Sequence, residues 1–332
     1  MKKILLPILF CLPLFLCAQI LPNLGGQRAG ISALTFLKID VSPKVAAMGG
    51  ATIALSGDAY ATQWNPAAIV DVEHHSYAIS NTFWVAGVNH AFASGVLKTK
   101  KDGAWGISLT SLTSGKMKRR TEFQPDGTGE YFYASNTGVG VSYAKKLTER
   151  FSYGVTGRYV NEVLDRYSAH TAVVDLGFLY RTDFKDLQFA VVLNNFGINS
   201  KLKGSHDSNG FNSKPVSLNG YPPPTLFRMG ISMIPYNKNG NQLAVMVQLD
   251  HPNDNAENIR LGVEYRYKSF ISFRAGYKIN VEDQYYPTAG IGLKSRIGRY
   301  PLNLDYAVDP LVYLGWIHRI GFTFSINKEE KR

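Results

Sequence analysis

Seven histidines are the first residues of this 332-residue chain that could bind a metal or move a proton. His74 and His75 adjoin, and neighbours on a strand point to opposite faces, so the pair cannot readily ligate one metal. His90, His170, His206, His251 and His318 are scattered, with no HExxH or related spacing. No spacing selects a Ser with a His and an acid or amide partner either. Gly138/Gly140 and Gly290/Gly292 lie within alternating segments with no helix to follow. Gly49-Gly50 lacks the Lys-Ser/Thr sequel of a phosphate loop. Only two cysteines are present, and both leave if the chain is cleaved after Ala18. The expectation is a protein with no catalytic site, no cofactor and no metal.

Charge offers different chemistry. The net charge of +11 becomes +9 without Lys2 and Lys3. A pI near 9.4 is compatible with nucleic-acid binding, but the export signal and the membrane-type alternation described below exclude it. Lys116, Lys118, Arg119 and Arg120 form a basic cluster. Such a cluster suits lipopolysaccharide phosphate or an acidic protein partner, and a solvated loop is the alternative.

These residues need elements to hold them. Lys2 and Lys3 precede an apolar stretch of about 13 residues from Ile4 to Leu16, with Ala18 before Gln19. That is the pattern of a cleaved signal peptide over residues 1–18. A lipoprotein reading would acylate Cys17, but Leu16 is bulky where that signal wants a small residue. No later run approaches the ~18 apolar residues of a membrane helix. The chain is 45% hydrophobic, 12% aromatic and 18% charged, with a mean hydropathy of −0.11. It is too aromatic for disorder and too polar for a helical bundle.

From about residue 75 the period is two. Phe151, Tyr153, Val155 and Tyr159 alternate with Ser152, Gly154, Thr156 and Arg158. Ile271, Phe273, Ala275 and Tyr277 alternate with Ser272, Arg274, Gly276 and Lys278. Each run has one apolar face and one polar, charged or glycine face. The runs are long, and aromatics gather near their ends, as in a membrane barrel rather than a soluble sandwich. About 14 strands are expected across residues 75–332, the eighth ending before Pro235. Short connections such as Thr99–Asp102 and Leu147–Glu149 alternate with a set containing the long Thr113–Tyr131 and Ile198–Pro223. The long loops belong outside the cell. Lys116–Phe123 is assigned to one of them, as a hairpin extension. Phe211 and Tyr221 are apolar candidates for partner contact on the other. Lumenal Arg158, Arg228, Arg260, Arg266, Arg274, Lys278 and Lys294 should pair with Asp175, Asp250, Glu264 and Asp305, or reach an inner segment.

Residues 19–74 do not alternate. They carry Ala47-Met48-Gly49-Gly50-Ala51, Asp58, and Trp64-Asn65-Pro66-Ala67. Small residues and an Asn-Pro turn allow close backbone packing, as a plug in a wide lumen requires. A periplasmic cap is the alternative. These motifs, with Pro125-Asp126-Gly127-Thr128-Gly129-Glu130-Tyr131-Phe132, resemble the PorV/PorQ family of Bacteroidota, which is related to FadL-type transporters. The resemblance covers essentially the whole mature chain. It implies an all-β, 14-stranded FadL-like outer-membrane barrel with an N-terminal hatch, whose motif residues would be Gly49, Gly50, Asp58, Trp64, Asn65, Pro66 and Ala67. It also implies a place in type IX secretion, with the translocon and cargo C-terminal signal domains as partners. FadL proteins instead admit hydrophobic small molecules.

Overall fold

A computed structural model describes residues 26, 28, 30–55, 57–99, 102–204, 218–298 and 300–326. The signal segment 1–18 and Phe211 lie outside the described residues. Fourteen long antiparallel strands follow one another around a ring. They are β1 (His75–Phe83), β2 (Asn89–Lys98), β3 (Gly103–Thr113), β4 (Ala134–Lys146), β5 (Phe151–Leu164), β6 (Tyr167–Arg181) and β7 (Gln188–Gly197). Then come β8 (Leu226–Lys238), β9 (Asn241–Pro252), β10 (Asn258–Tyr267), β11 (Ile271–Ile279), β12 (Thr288–Ile297), β13 (Tyr300–Leu311) and β14 (Gly315–Ile326). The ring closes where β1 pairs with β14, from His75 opposite Ile326 to Phe83 opposite His318. Closure leaves no sheet edge, so every strand can satisfy its backbone groups in lipid.

Alternation decides which face meets lipid. Ile79, Ile107, Tyr159 and Phe273 are all more than half exposed, whereas Arg158, Gln248 and Asp250 are buried. The apolar face therefore points outward and the polar face into the lumen. Aromatic pairs stand toward both rims: Trp105 with Tyr143, centroids 4.8 Å apart, and Tyr306 with His318, at 6.1 Å. His318 also takes a 2.6 Å hydrogen bond between its Nδ1 and the Tyr306 hydroxyl. Both belong to the girdle rather than to a metal site.

The end carrying His75 and Ile326 has short turns, such as Asn239-Gly240, where both residues have positive φ, the geometry that suits a tight hairpin. The opposite end carries the segments between β3 and β4 and between β7 and β8. Within the first, Met117–Lys118 pairs with Tyr131–Phe132, so the hairpin extension exists as a small separate sheet. The eighth strand differs from expectation. It runs on through Pro235, because the register shifts between Met233 and Tyr236 and a bulge absorbs the imino acid.

Inside the ring lies the segment from residue 30 to 74. It holds a 3-10 turn at Thr35–Lys38, helical turns at Pro43–Ala47 and Ala61–Trp64, and a 3-10 turn at Pro66–Asp71. Lumen-facing glycines on β3, β5, β6, β8, β10, β11, β12 and β14 all approach this segment, which places it within the lumen. Its buried core includes Val45, Ile53, Tyr60, Trp64 and Ile69.

Candidate functional site

The plug docks through backbone proximity. Ser42 caps the Pro43–Ala47 turn, accepting from Val45 N–H at 3.5 Å, with Pro43 preset for the first helical position. The chain then reverses at Gly49 and Gly50, with φ of +64° and +82°, a conformation that favours glycine. Gly49 N–H donates to Thr288 Oγ1 at 3.1 Å, and that hydroxyl donates to Ala47 O at 2.9 Å. Opposite them, Gly262, Gly276 and Gly290 stand on β10, β11 and β12. A Cβ on any of these would press on Met48, Gly49 or Ala47. Gly138, Gly140 and Gly292 instead make room for wall side chains such as Arg158 and Arg274.

The second motif works the same way. Asp58 Oδ1 accepts from Tyr60 N–H at 2.9 Å and sets the turn into Ala61–Trp64. Asn65 caps the next turn, accepting from Ala67 N–H at 3.0 Å, while its Nδ2 donates to Ile53 O at 2.6 Å. The Asn65-Pro66-Ala67 corner sits on Gly154 and Gly177, which face each other across β5 and β6. Trp64 is buried beside it. Tyr60 was not singled out in the sequence, yet it reaches the closing seam. Its hydroxyl donates to Ile79 O at 2.5 Å and lies 3.3 Å from Phe322 O, and its ring stacks on Phe92. Ile79 and Phe322 are cross-strand partners of β1 and β14.

Lumenal charges are paired. Arg158 meets Asp175 at 3.1 Å, Arg274 meets Glu264 at 2.6 Å and Asp305 at 2.5 Å, and Arg266 meets Glu264 at 2.8 Å. Arg260 bridges wall and plug, 2.8 Å from Asp250 and 3.9 Å from Asp40. Sequence reasoning missed Asp40, Asp71, Asp309 and Arg319. Lys278 and Arg319 share Asp309 at 3.2 and 3.6 Å, and Arg319 Nε donates to Asp40 O at 3.2 Å. Asp71 pairs with Arg181 and with Lys146. Lys294 is exposed and shares the lining of a small cavity with Asp58 and Lys44.

At the mouth that carries the long loops lies an open cleft of about 590 Å³, lined by Leu34, Phe36, Leu112, Leu164, Leu202 and Tyr221, with Ser32, Thr35, Asn136 and Glu162 as its polar members. Tyr221 is held by paired backbone bonds with Ser200, at 2.8 and 2.9 Å. Pro222 O accepts from Ala33 N–H, tying this loop to the plug. The basic cluster divides. Arg119 is held 3.1 Å from Glu130 and over the Phe132 ring of the hairpin, and 2.8 Å from Asp165 on the turn between β5 and β6. Lys116, Lys118 and Arg120 are exposed, as is Phe123 at the tip. The structure thus separates two regions: a motif-built seam between plug and wall, and a mouth with an apolar cleft beside a basic hairpin. Among the described residues no group of three His, Cys, Asp or Glu is placed to hold a metal.

A closed 14-strand barrel with lipid-facing aromatics defines an outer-membrane protein of the FadL-like class. Solved structures agree in fold: the CymD monoaromatic hydrocarbon channel (TM-score 0.59, 14% identity, 87% of this chain and 98% of that one). The Ralstonia pickettii toluene transporter TbuX (0.56, 13%, 85% and 96%) and the Pseudomonas putida toluene transporter TodX (0.56, 13%, 86% and 98%) are alike too. No curated protein sequence matches the chain. The sequence model of the family described as "Type IX secretion system protein PorV" matches residues 24–184 of this chain.

Proposed function

We propose that this chain is a non-enzymatic outer-membrane component of the type IX secretion system that binds exported proteins or the translocon through its extracellular mouth. In this reading a signal peptide exports it, and its host is a member of the Bacteroidota. The observation that carries the proposal is the span of the PorV match. Residues 24–184 include both the plug motifs and the Lys116–Phe132 hairpin. The hairpin offers three exposed cations and Phe123, and the neighbouring cleft is apolar. That combination suits an emerging polypeptide better than a free small molecule. Lipopolysaccharide phosphate is a further partner for the same cations.

A second reading has a specific observation in its favour. The similar solved structures are monoaromatic hydrocarbon channels, and an apolar cleft at the mouth is where such a solute would enter. Against it, the plug is bound to the wall on many sides and the cavity beside Trp64 is only about 20 Å³.

Purification from native outer membranes tests the proposal. Recovery of cargo C-terminal domains or of a large translocon is expected, with a secretion defect in a deletion strain. Recovery of the barrel alone, with normal secretion and lost uptake of a monoaromatic hydrocarbon, would establish the second reading instead.

A further inference from the structure

One small cavity remains among the paired charges of the lumen. It lies where plug and wall meet, holds about 20 Å³, and counts Asp40, Gln63, Trp64, Asn194 and Arg228 among its lining. Trp64, Asn194 and Arg228 are each more than nine-tenths buried. Nevertheless Trp64 Nε1, both amide atoms of Asn194, Arg228 Nε and Gln63 Oε1 have no hydrogen-bond partner among the described residues. Buried polar atoms are almost always satisfied, so a cluster of orphans around one space points to an occupant.

The fixed chemistry of the lining selects what that occupant is. An indole and a guanidinium Nε can only donate. The amides of Asn194 and Gln63 can turn either end toward the cavity. The occupant must therefore accept at least two hydrogen bonds. The bulge between Val174 and Leu176 creates the space, because β6 and β7 lose register there and Asn195 takes a positive φ. Asn195 itself is satisfied: its N–H donates to Asp175 at 2.6 Å and its Oδ1 accepts from Arg158 at 3.3 Å. Asn194 is left facing the cavity with nothing to bind.

Charge then sets the sign. Arg158, Arg228, Arg260, Lys278 and Arg319 are matched against Asp40, Asp175, Asp250 and Asp309, which leaves one cation over. The most loosely held is Arg228, whose Nε lies 3.7 Å from an Asp250 that Arg260 already holds at 2.8 Å. Asp40, the acid on the lining, is engaged by Arg260 and by Arg319 through its backbone oxygen. A buried cation without full compensation is costly, and an anion beside it removes that cost. The space has room for a water or a monatomic ion.

We infer that the seam between plug and wall binds a single halide ion, chloride under ordinary conditions, through Trp64 Nε1, Asn194 Nδ2 and Arg228 Nε. These donors come from the plug, from β7 and from β8. The ion therefore fastens the plug to two wall strands beside the irregular pairing of β6 and β7.

The test uses the full mature barrel in detergent. Thermal unfolding is followed in sodium chloride, sodium bromide or sodium gluconate at equal ionic strength, and crystals grown in bromide are measured at the bromine edge. The unfolding midpoint is expected to rise saturably with chloride or bromide and not with gluconate. An anomalous peak is expected beside Arg228 Nε and Trp64 Nε1. Asn194→Asp, which adds a carboxylate to the lining, should weaken the apparent halide affinity about tenfold or more. Should that variant fail to fold, the bromide diffraction of the unaltered protein decides. Equal midpoints in halide and gluconate, or density in the cavity without anomalous signal, would mean water and overturn the inference.

Discussion

Gly177 on β6 lies so close beneath the Asn65 side chain that a Cβ there would overlap the amide oxygen. Its partner across the strands, Gly154, stands in the same relation to Pro66 and Ala67. Gly177→Ala and Gly154→Ala are therefore expected to push the Asn-Pro corner off the wall, each costing about 1–3 kcal/mol. Gly157, with open space where its Cβ would be, is the control and should tolerate alanine. Thermal unfolding followed by circular dichroism reads all three.

Tyr60 ties the plug to the seam that closes the ring. Tyr60→Phe keeps the stacking on Phe92 but loses the hydroxyl that reaches Ile79 O and Phe322 O. The expected loss is about 1 kcal/mol. Faster hydrogen exchange confined to β1 and β14 would locate it. Unchanged exchange there would refute a role in closure.

Two plug carboxylates should respond oppositely to pH. Burial pushes the Asp40 carboxyl up, but Arg260, Lys278, Arg319 and Arg228 together outweigh it and hold the group below the ordinary range. Its stabilisation is complete above the unfolded value of about 4 and is lost as pH falls through the lower folded value. Asp58 is the reverse. Burial and Asp305 raise it, against Lys44, the Tyr60 N–H and Arg274. Its protonated form favours the fold, and that contribution is lost as pH rises through the folded value. At pH 7, Asp40→Asn should destabilise by about 3 kcal/mol and flatten the acid limb. Asp58→Asn keeps an acceptor for Tyr60 N–H and should raise the midpoint. Unfolding curves from pH 3 to pH 8 check both signs.

The hairpin separates structure from recognition. Arg119→Ala removes the bonds to Glu130 and Asp165 and should loosen the hairpin. Reversing exposed Lys116, Lys118 and Arg120 to Glu should leave the fold intact. It should slow association with an acidic partner about tenfold at low salt and have little effect at high salt. Surface-binding kinetics with the partner recovered from native membranes would measure this. Equal rates for the triple variant would remove these cations from the interface.

Much of the barrel was legible because alternation is a local property. Val155 and Arg158 declare opposite faces whichever strands lie beside them, and a polar run beside an apolar one can cross lipid only as a closed sheet. The Pro235 strand was cut short for the same reason. A proline reads as a break unless the neighbouring strand shows that a bulge receives it.

The plug motifs were visible as residue types, but their partners were not. Nothing near Asn65 in sequence names Gly177, and nothing near Asp40 names Arg260 or Arg319, which lie more than two hundred residues along the chain. By itself the sequence determined the alternation, the strand lengths, the side of the long loops and the family motifs, since each depends on neighbouring residues. Tertiary structure alone decided which glycines admit the plug, that Tyr60 spans the closing seam, that Arg119 serves the hairpin, and where one cation remains in excess. Those are contacts across the lumen, and only ring closure brings their members together.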